Sequence, residues 1–252
     1  MSLIGFRTLF YKEVLRFSKV WLQTIIAPVM TSLLFLLVFG QAMGAHAPFA
    51  NVSYTSFLIP GLMMMSVIQN AFANSSSSII QSKVNGNIIF LLLAPLSYLE
   101  FFAAFIAGAI ARGLAVGVGL YVIAAWAIAV PFHSLPFIVL FALLGSAVLG
   151  ALGMIAGIWA QKFDQLAGFQ NFVILPLSFL SGVFYSLQSL PPFWRALSHL
   201  NPLFYMVDGF RYGFFGVSDV SPWLSAGIVF AAFAGVSALT LWLLRTGYRL
   251  RD

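Results

Sequence analysis

The chain has 252 residues, of which 62% are hydrophobic and only 7% charged, whereas a soluble domain is about 25% charged, so a water-soluble fold is excluded. It has no cysteine and a formal net charge of +6, and the missing cysteines exclude disulfides and thiolate chemistry. Several uninterrupted apolar runs are long enough to cross a bilayer as helices, whereas a β-barrel would show short alternating segments. We therefore predict an all-α membrane protein in which a single domain covers residues 1–252.

Residues 2–20 show helical periodicity, with an apolar face and a basic face that carries Lys12, Arg16 and Lys19. This pattern is typical of a helix that lies in the membrane interface. Glu13 falls within the apolar arc, which predicts a contact with protein or with another polar group. Since no signal-peptide cleavage motif follows, we expect the segment to be retained, either as a basic anchor or with a functional role of its own.

Six membrane spans are predicted from the apolar runs, and they cover residues 21–40, 55–76, 100–128, 136–160, 168–187 and 222–244. Most of the 12 basic residues fall on the side of the amino terminus. Because cytoplasmic loops are enriched in Lys and Arg, both termini are predicted in the cytoplasm, and the net charge needs no nucleic-acid partner. Gly113 with Gly117 and Gly153 with Gly157 form GxxxG patterns, which we assign to packing within the bundle, with a dimer contact as the alternative.

Two segments differ from short turns between spans. Residues 81–96 are too short to span, and Pro95 ends any helix that reaches it, so we predict a short helix along the cytoplasmic surface. Residues 185–220 remain apolar and aromatic despite Pro191, Pro192 and Pro202. That combination favours a pair of short external, re-entrant helices that dip into the outer leaflet and pack against protein.

Motifs for catalysis are missing from the sequence. It contains no GxxxxGK[ST], HExxH or GxSxG pattern, so we expect neither ATP hydrolysis by a P-loop nor another enzymatic activity in this chain. His46, His133 and His199 lie in three separate segments without neighbours at metal-ligand spacing. We therefore predict no metal site.

Few ionisable residues fall within the predicted spans. Arg112 lies near the middle of the third span, which leaves a misplaced boundary, a structural hydrogen bond or a polar transport pathway as explanations. The lack of a carboxylate partner for Arg112 in the membrane disfavours proton coupling. Asp208 and Arg211 are three residues apart, so on a helix they would share a face and could pair, either as a structural tie or at a substrate site.

This layout resembles the type-2 ABC transporter permeases, which export polysaccharides, lipids, nodulation factors and antibiotics. The resemblance covers essentially the whole chain and is most specific over residues 169–216. The matching residues are Pro176, Leu180-Ser181-Gly182 with Phe184, Leu190-Pro191, Asn201-Pro202-Leu203, Asp208 and Arg211. Gly86 and Pro95 match the coupling region of the family, although Lys83, Asn85 and Asn87 stand where acidic residues are common.

The resemblance implies the permease subunit of an ATP-binding cassette exporter in the bacterial inner membrane. Such a permease forms a dimer, here expected to be a homodimer, and binds two copies of a cytoplasmic ABC ATPase. ATP and Mg would bind that partner, with no cofactor in this chain. Contact with the ATPase is expected at Lys83, Val84, Asn85, Gly86, Asn87 and Ile88, with a second contact at Lys12, Glu13 and Arg16.

The substrate implied is amphipathic, lipid-linked or drug-like and moves outward. Besides the ATPase and a second copy, the only partners expected are membrane lipids. Two alternatives remain open at this point: an ion-driven secondary transporter, which would work without an ATPase, and a non-transporting membrane assembly protein.

Overall fold

The computed structural model describes residues 3–43, 52–127 and 131–249, and every regular element within these ranges is helical. The predicted all-α architecture is therefore confirmed. The helices are α1 (Leu3–Ser18), α2 (Ala27–Met43), α3 (Tyr54–Val84), α4 (Ile88–Leu93), α5 (Tyr98–Ala127), α6 (Leu135–Trp159), α7 (Phe163–Phe169), α8 (Leu175–Phe179), α9 (Pro192–His199), α10 (Pro202–Phe215) and α11 (Pro222–Thr246). A π-helical turn precedes α2 at Leu22–Ile26, another joins α7 to α8 at Gln170–Ile174, and a 3-10 turn forms at Leu187–Ser189.

Within the described residues, five helices are long and apolar enough to cross a membrane. They are Leu22–Ala42, Tyr54–Val84, Tyr98–Trp126, Leu135–Trp159 and Pro222–Thr246. These helices coincide with five of the six predicted spans, except that the predicted end at residue 128 lies outside the described residues. The remaining prediction, residues 168–187, does not form one long helix.

The helix in this region begins earlier and is shorter than predicted, and Pro176 distorts it without ending it. The helix of residues 163–179 runs through α7, the π-turn and α8, and then ends in a turn before Gly182. Pro176 has no amide hydrogen and its ring clashes with the carbonyl four residues earlier, at Phe172, which lies in the π-turn. The same spacing recurs at the start of α2, where Pro28 follows Thr24 in the first π-turn.

The centre of the bundle is α3, which is largely buried and packs against α2, α5, α6 and α10. Glycine allows the closest approaches. A Cβ on Gly113 would lie 3.0 Å from the Val67 carbonyl oxygen, and one on Gly157 would lie 3.0 Å from that of Ser76. Both glycines belong to the GxxxG patterns and both face α3, so the patterns serve packing within the chain.

Two short helices occupy the segment between residues 185 and 220, as the prolines predict. Pro192 and Pro202 each begin a helix, where the missing amide hydrogen costs nothing. The first of the two, α9, is mostly exposed, whereas α10 is almost wholly buried and packs against α3, α6 and α11. The apolar sequence of α10 therefore reflects protein packing, whereas Phe193 and Trp194 of α9 are exposed.

Candidate functional site

The loop between α3 and α4 forms an exposed tip, which we call the elbow (residues 84–87). Val84, Asn85, Gly86 and Asn87 are all exposed there. Gly86 has φ +71°, and a Cβ built on it would meet nothing within 4 Å. The elbow therefore needs glycine for its backbone conformation and has free space around it.

Helix α4 presents large apolar side chains on its outer surface. Ile88 is only 8% exposed and joins a buried cluster with Leu9 and Phe105, whereas Phe90 is 73% and Leu93 77% exposed. The helix ends because Ala94, which precedes Pro95, is extended with ψ 144°. Ile88 and the partly buried Leu91 thus anchor α4 to the bundle, while the exposed side chains form an apolar surface.

The predicted coupling residues of α1 and of the elbow meet at one cavity. Lys12 and Arg16 of α1 line a cavity of about 480 Å³ together with Asn85, Asn87 and Phe90. Sequence placed these residues in two separate segments, and the fold makes them one surface. We call this combined surface, with the exposed face of α4, the elbow surface.

Lys83 links the elbow to a second helix. Its Nζ donates hydrogen bonds of 2.8 Å to the carbonyl oxygens of Ile158 and Ala160, at the end of α6. A cation at this position satisfies free carbonyls and favours the negative end of the helix dipole. Lys83 therefore ties α3 to α6 directly beside the elbow.

Glu13 is fully buried and connects α1 to α3. Its Oε1 lies 2.9 Å from Lys12 Nζ and accepts a 2.6 Å hydrogen bond from Ser78 Oγ, and its Oε2 lies 3.3 Å from Arg16 Nη2. Arg16 in turn donates to the backbone and side-chain oxygens of Asn74 at 2.6 and 3.0 Å. The polar contact that Glu13 predicted is therefore present, and it is made within the chain.

This ion-pair network limits what α1 can offer to a partner. The carboxylate of Glu13 and much of the guanidinium of Arg16 face α3, whereas Lys12 keeps 40% of its side chain exposed. The α3 side of the network was missed at the sequence level. Its signal was a polar stripe at intervals of four residues, Ser66, Asn70, Asn74 and Ser78, which places these side chains on one face of a helix.

Arg112 lies near the middle of α5. Its Nη2 donates a 3.2 Å hydrogen bond to Asn70 Oδ1 of the polar stripe. Arg112 lines a cavity of about 330 Å³ between α2, α3, α5 and the second π-turn, which we call the polar groove. It also lines a cavity of about 690 Å³ beside α1, with Lys12, Arg16 and Lys19.

The residues that carried the resemblance hold together the end of the molecule that contains α9 and α10. Arg211 is fully buried, its Nη2 donates a 2.8 Å hydrogen bond to the carbonyl of Gly182, and its Cζ lies 3.8 Å from the ring centre of Phe57. Gly182 itself has φ +75°, a conformation that favours glycine. Arg211 thus fixes the turn that ends the helix of residues 163–179.

Asp208 does not form the ion pair with Arg211 that the spacing predicted, because its oxygens have other partners. They accept hydrogen bonds of 2.9 and 3.1 Å from the backbone N–H groups of Asp219 and Val220. Asp219, which sequence reasoning missed, accepts from Ser186 Oγ at 2.6 Å and from the N–H of Leu187 at 2.9 Å. Both ion pairs found among the described residues involve Glu13 instead.

Asn201 connects α10 with α8. Its Oδ1 accepts a 3.0 Å hydrogen bond from the N–H of Leu203 at the start of α10, and its Nδ2 donates at 2.7 Å to the carbonyl of Leu177. The other matching residues also begin, end or pack helices: Pro176 in α8, Pro202 in α10, Pro191 before α9, Ser181 bonded to Ser178, and Phe184 packed on Phe35 and Phe39. The contacts of these residues that the structure shows are made within the chain.

Within the three described ranges, no group of three or more His, Asp or Glu side chains is placed so that it could hold a metal ion. His133 stacks edge-on against Tyr212 and His199 bonds to Tyr205, while His46 lies outside the described residues.

Comparison with known proteins gives a consistent answer. Residues 5–215 match the family described as ABC-2 type transporter. The chain is similar to the inner membrane transport permease YadH of Escherichia coli, with 40% identity over 99% of this chain and 98% of the relative. It is also similar to nodulation protein J of Neorhizobium galegae, with 21% identity over 89% of this chain and 87% of the relative, and of Sinorhizobium fredii, with 28% identity over 69% and 68%.

The family match spans most of the chain, and the 40% identical relative is matched over nearly its full length. The apolar helices and the inner-membrane relative together identify a multi-pass inner-membrane protein. Its family is one of transport permeases and not of enzymes. The chain therefore belongs to the ABC-2 type transporter family and is the membrane subunit of an ABC transporter.

Proposed function

We propose that this chain is the permease of an exporter driven by ATP hydrolysis on a separate cytoplasmic ABC ATPase, and that the elbow surface is where the ATPase binds. The observation that carries the proposal is the meeting of α1, the elbow and α4 at one cavity, beside exposed Phe90 and Leu93. A soluble partner that covers these apolar side chains gains about 25 cal/mol per Å² buried. Polar Asn85 and Asn87 would form the rim of the contact.

Movement at the elbow surface can reach the transmembrane helices through named contacts. Lys83 ties the end of α3 to the end of α6, and Glu13 ties α1 to Ser78 in the last third of α3. Closure of the ATPase subunits around ATP would therefore displace α1, α3 and α6 together as a rigid unit. Such a displacement drives transport only if the two states differ in their contacts.

The proposed topology has six spans with both termini in the cytoplasm, and the helix of residues 163–179 serves as the fifth span. At ~1.5 Å per residue this helix is about 26 Å long, close to the ~30 Å of a bilayer core. The turn held by Gly182 and Arg211 then begins the external segment. In this topology α9 and α10 are the re-entrant helices near the outer leaflet.

The proposed assembly contains two copies of this chain and two copies of the ATPase, with ATP and Mg bound to the ATPase. The polar groove is open in the single chain and borders α2, which is mostly exposed. A second copy facing this opening would enclose a polar pathway between the two chains. Membrane lipids would cover the remaining apolar surface, including much of α11.

The test is purification of the tagged chain from its native membrane. We expect a protein with a Walker A motif to co-purify, and ATP hydrolysis to require both chains. Truncating Phe90→Ala together with Leu93→Ala should reduce the amount of bound ATPase at least tenfold. The matched control is Phe193→Ala on α9, because Phe193 is 71% exposed and Phe90 73%.

Equal recovery of the ATPase with the Phe90 and Leu93 variant and with the control would contradict the elbow surface as the binding site. Transport by the chain alone, driven by an ion gradient in vesicles without an ATPase, would overturn the proposed function and favour a secondary transporter. A chain that is stably inserted yet binds no ATPase and moves no substrate would favour a membrane assembly protein.

A further inference from the structure

The polar groove is unusual for a membrane protein because one wall is polar and the other apolar. Its polar side chains are Gln23, Thr31, Ser32, Ser66, Gln69, Asn70, Arg112 and Gln170. Phe35, Leu62 and Met65 line the same cavity. With a volume of about 330 Å³, the groove falls in the range of small-molecule sites, and its two surfaces suit an amphipathic ligand.

Arg112 supplies a positive charge that makes no ion pair with any of the described residues. Its one hydrogen-bond partner is the uncharged Asn70, and its Nε has no hydrogen-bond partner within the described ranges. Both ion pairs found there use Glu13, which is already shared by Lys12 and Arg16. Partial burial of a cation without an anion is costly, so an anionic ligand would be favoured at this point.

The surroundings of Arg112 increase this positive potential. The neighbouring cavity beside α1 is lined by Lys12, Arg16 and Lys19 as well as Arg112, and Glu13 is the acidic residue that faces this group. Gln69 also lines the polar groove, and its Nε2 is a second donor without a hydrogen-bond partner among the described residues. The unpaired hydrogen-bond donors and the net positive charge therefore both favour an anionic ligand.

We propose that Arg112, assisted by Asn70 and Gln69, binds the phosphate or carboxylate group of an anionic amphiphile whose apolar part lies against Phe35, Leu62 and Met65. As a substrate site this rests on the proposed exporter function, since the groove would then be a step on the export pathway. The guanidinium offers a planar fork that matches two oxygens of such a group. The cations beside α1 would attract the anion first.

Arg16 shows what a purely structural arginine looks like in this protein. Its guanidinium is bonded to Glu13, to Asn74 and to Ser77, so charge and donors are both satisfied. Arg112, which is also partly buried, has one uncharged partner and makes no ion pair among the described residues. This difference between the two arginines favours a ligand-binding role for Arg112.

The test measures binding to the full chain in phosphatidylcholine nanodiscs, without ATP or ATPase. The probe is n-dodecyl phosphate, and the uncharged control is n-dodecyl maltoside, which has the same apolar chain. Arg112→Gln should weaken binding of dodecyl phosphate at least tenfold and leave dodecyl maltoside unchanged. Arg7→Gln is the matched control because Arg7 is exposed on α1, and it should bind as the unmodified chain does.

Arg112→Lys keeps the positive charge and loses the planar guanidinium, so it should weaken binding of dodecyl phosphate several-fold. This variant replaces Arg112→Gln in the test if the Gln variant does not fold. Equal binding of dodecyl phosphate by the unmodified chain and by both folded Arg112 variants would overturn the proposal. Nanodiscs of phosphatidylglycerol distinguish the source of the anion. Loss of dodecyl phosphate binding there would assign the site to a resident lipid headgroup, and retained binding would assign it to a transported amphiphile.

The two proposals can fail separately. Binding of dodecyl phosphate does not require the ATPase, so a negative result at Arg112 leaves the elbow surface standing. Conversely, a chain that recruits no ATPase could still bind the anion through Arg112. That result would support the anion site and refute the proposed exporter function.

Discussion

Gly86 gives the sharpest test of how the elbow surface works. Its φ of +71° is a left-handed conformation, and a Cβ built on it meets nothing within 4 Å. Gly86→Val therefore adds no clash within the chain and costs only the backbone strain, roughly 1–2 kcal/mol for an L-residue. That cost would shift an equilibrium between elbow conformations roughly 5- to 30-fold. We expect ATP hydrolysis to continue and the motion of the permease to be lost.

The chain contains no cysteine, so one introduced cysteine can carry a spin label without interference. Val118→Cys places the label on an exposed position of α5, and the distance between the labels of two paired chains reports the motion. In the unmodified elbow this distance should change when the ATPase is trapped with ATP and vanadate. With Gly86→Val the distance should stay constant while ATP is still hydrolysed.

Gly86→Asn is the matched control, because asparagine adopts the left-handed region far more readily than valine. It should retain most of the ATP-dependent distance change. A second comparison is Gly182→Ala, where a Cβ lies 3.3 Å from the ring of Phe204, so this variant should lower the stability of the fold itself. An unaltered distance change in Gly86→Val would refute the role of the elbow in coupling.

Three further substitutions test the internal ties by thermal unfolding of the purified chain. Glu13→Gln should lower the free energy of unfolding by about 2 kcal/mol. This is less than for a fully buried ion pair, because Lys12 and Arg16 are partly exposed to solvent. The control, Lys19→Gln, should have little effect. Lys83→Met should cost about 1–2 kcal/mol through the lost bonds to the end of α6, and Lys83→Arg less. Asp208→Asn should cost about 2 kcal/mol, because an amide NH₂ would then face a backbone N–H donor. A change below about 0.5 kcal/mol in any of the three would show that the corresponding tie contributes little.

Hydropathy predicted the long helices well. Within a membrane the backbone N–H and C=O groups of an apolar run must be hydrogen-bonded to one another, and a helix achieves this within the run itself. At the fifth predicted span, residues 168–187, the helix instead covers residues 163–179, and the apolar run did not reveal that Pro176 disturbs the hydrogen bonding four residues earlier. Pro95 and Pro202 were more informative, because they lie at helix boundaries where proline has a single effect.

Side-chain partners were harder to predict than helices. Spacing suggested that Asp208 could pair with Arg211. Buried backbone groups also need partners, however. Asp208 accepts a hydrogen bond from the N–H of Asp219, and Arg211 donates one to the carbonyl of Gly182. The misfit of Glu13 did reveal a polar contact. The polar stripe on α3 can be read from the sequence as an interval of four residues. Its contact with Glu13 could not be predicted, because that contact depends on how α1 packs against α3.

The stripe on α3 also connects the two proposed sites. Asn70 contacts Arg112 in the middle of α3, and the helix ends at Val84, roughly 21 Å away at ~1.5 Å per residue. Because the same helix carries the elbow and the hydrogen-bond partner of Arg112, displacement of the elbow should alter the anion site. Linkage then requires ATP trapping to change the affinity for dodecyl phosphate, and dodecyl phosphate to change the affinity for ATP by the same factor. We expect at least fivefold in the assembled transporter, measured by titration with and without vanadate, and Gly86→Val should abolish the difference. An affinity that is the same in both states would mean that α3 does not connect the two sites.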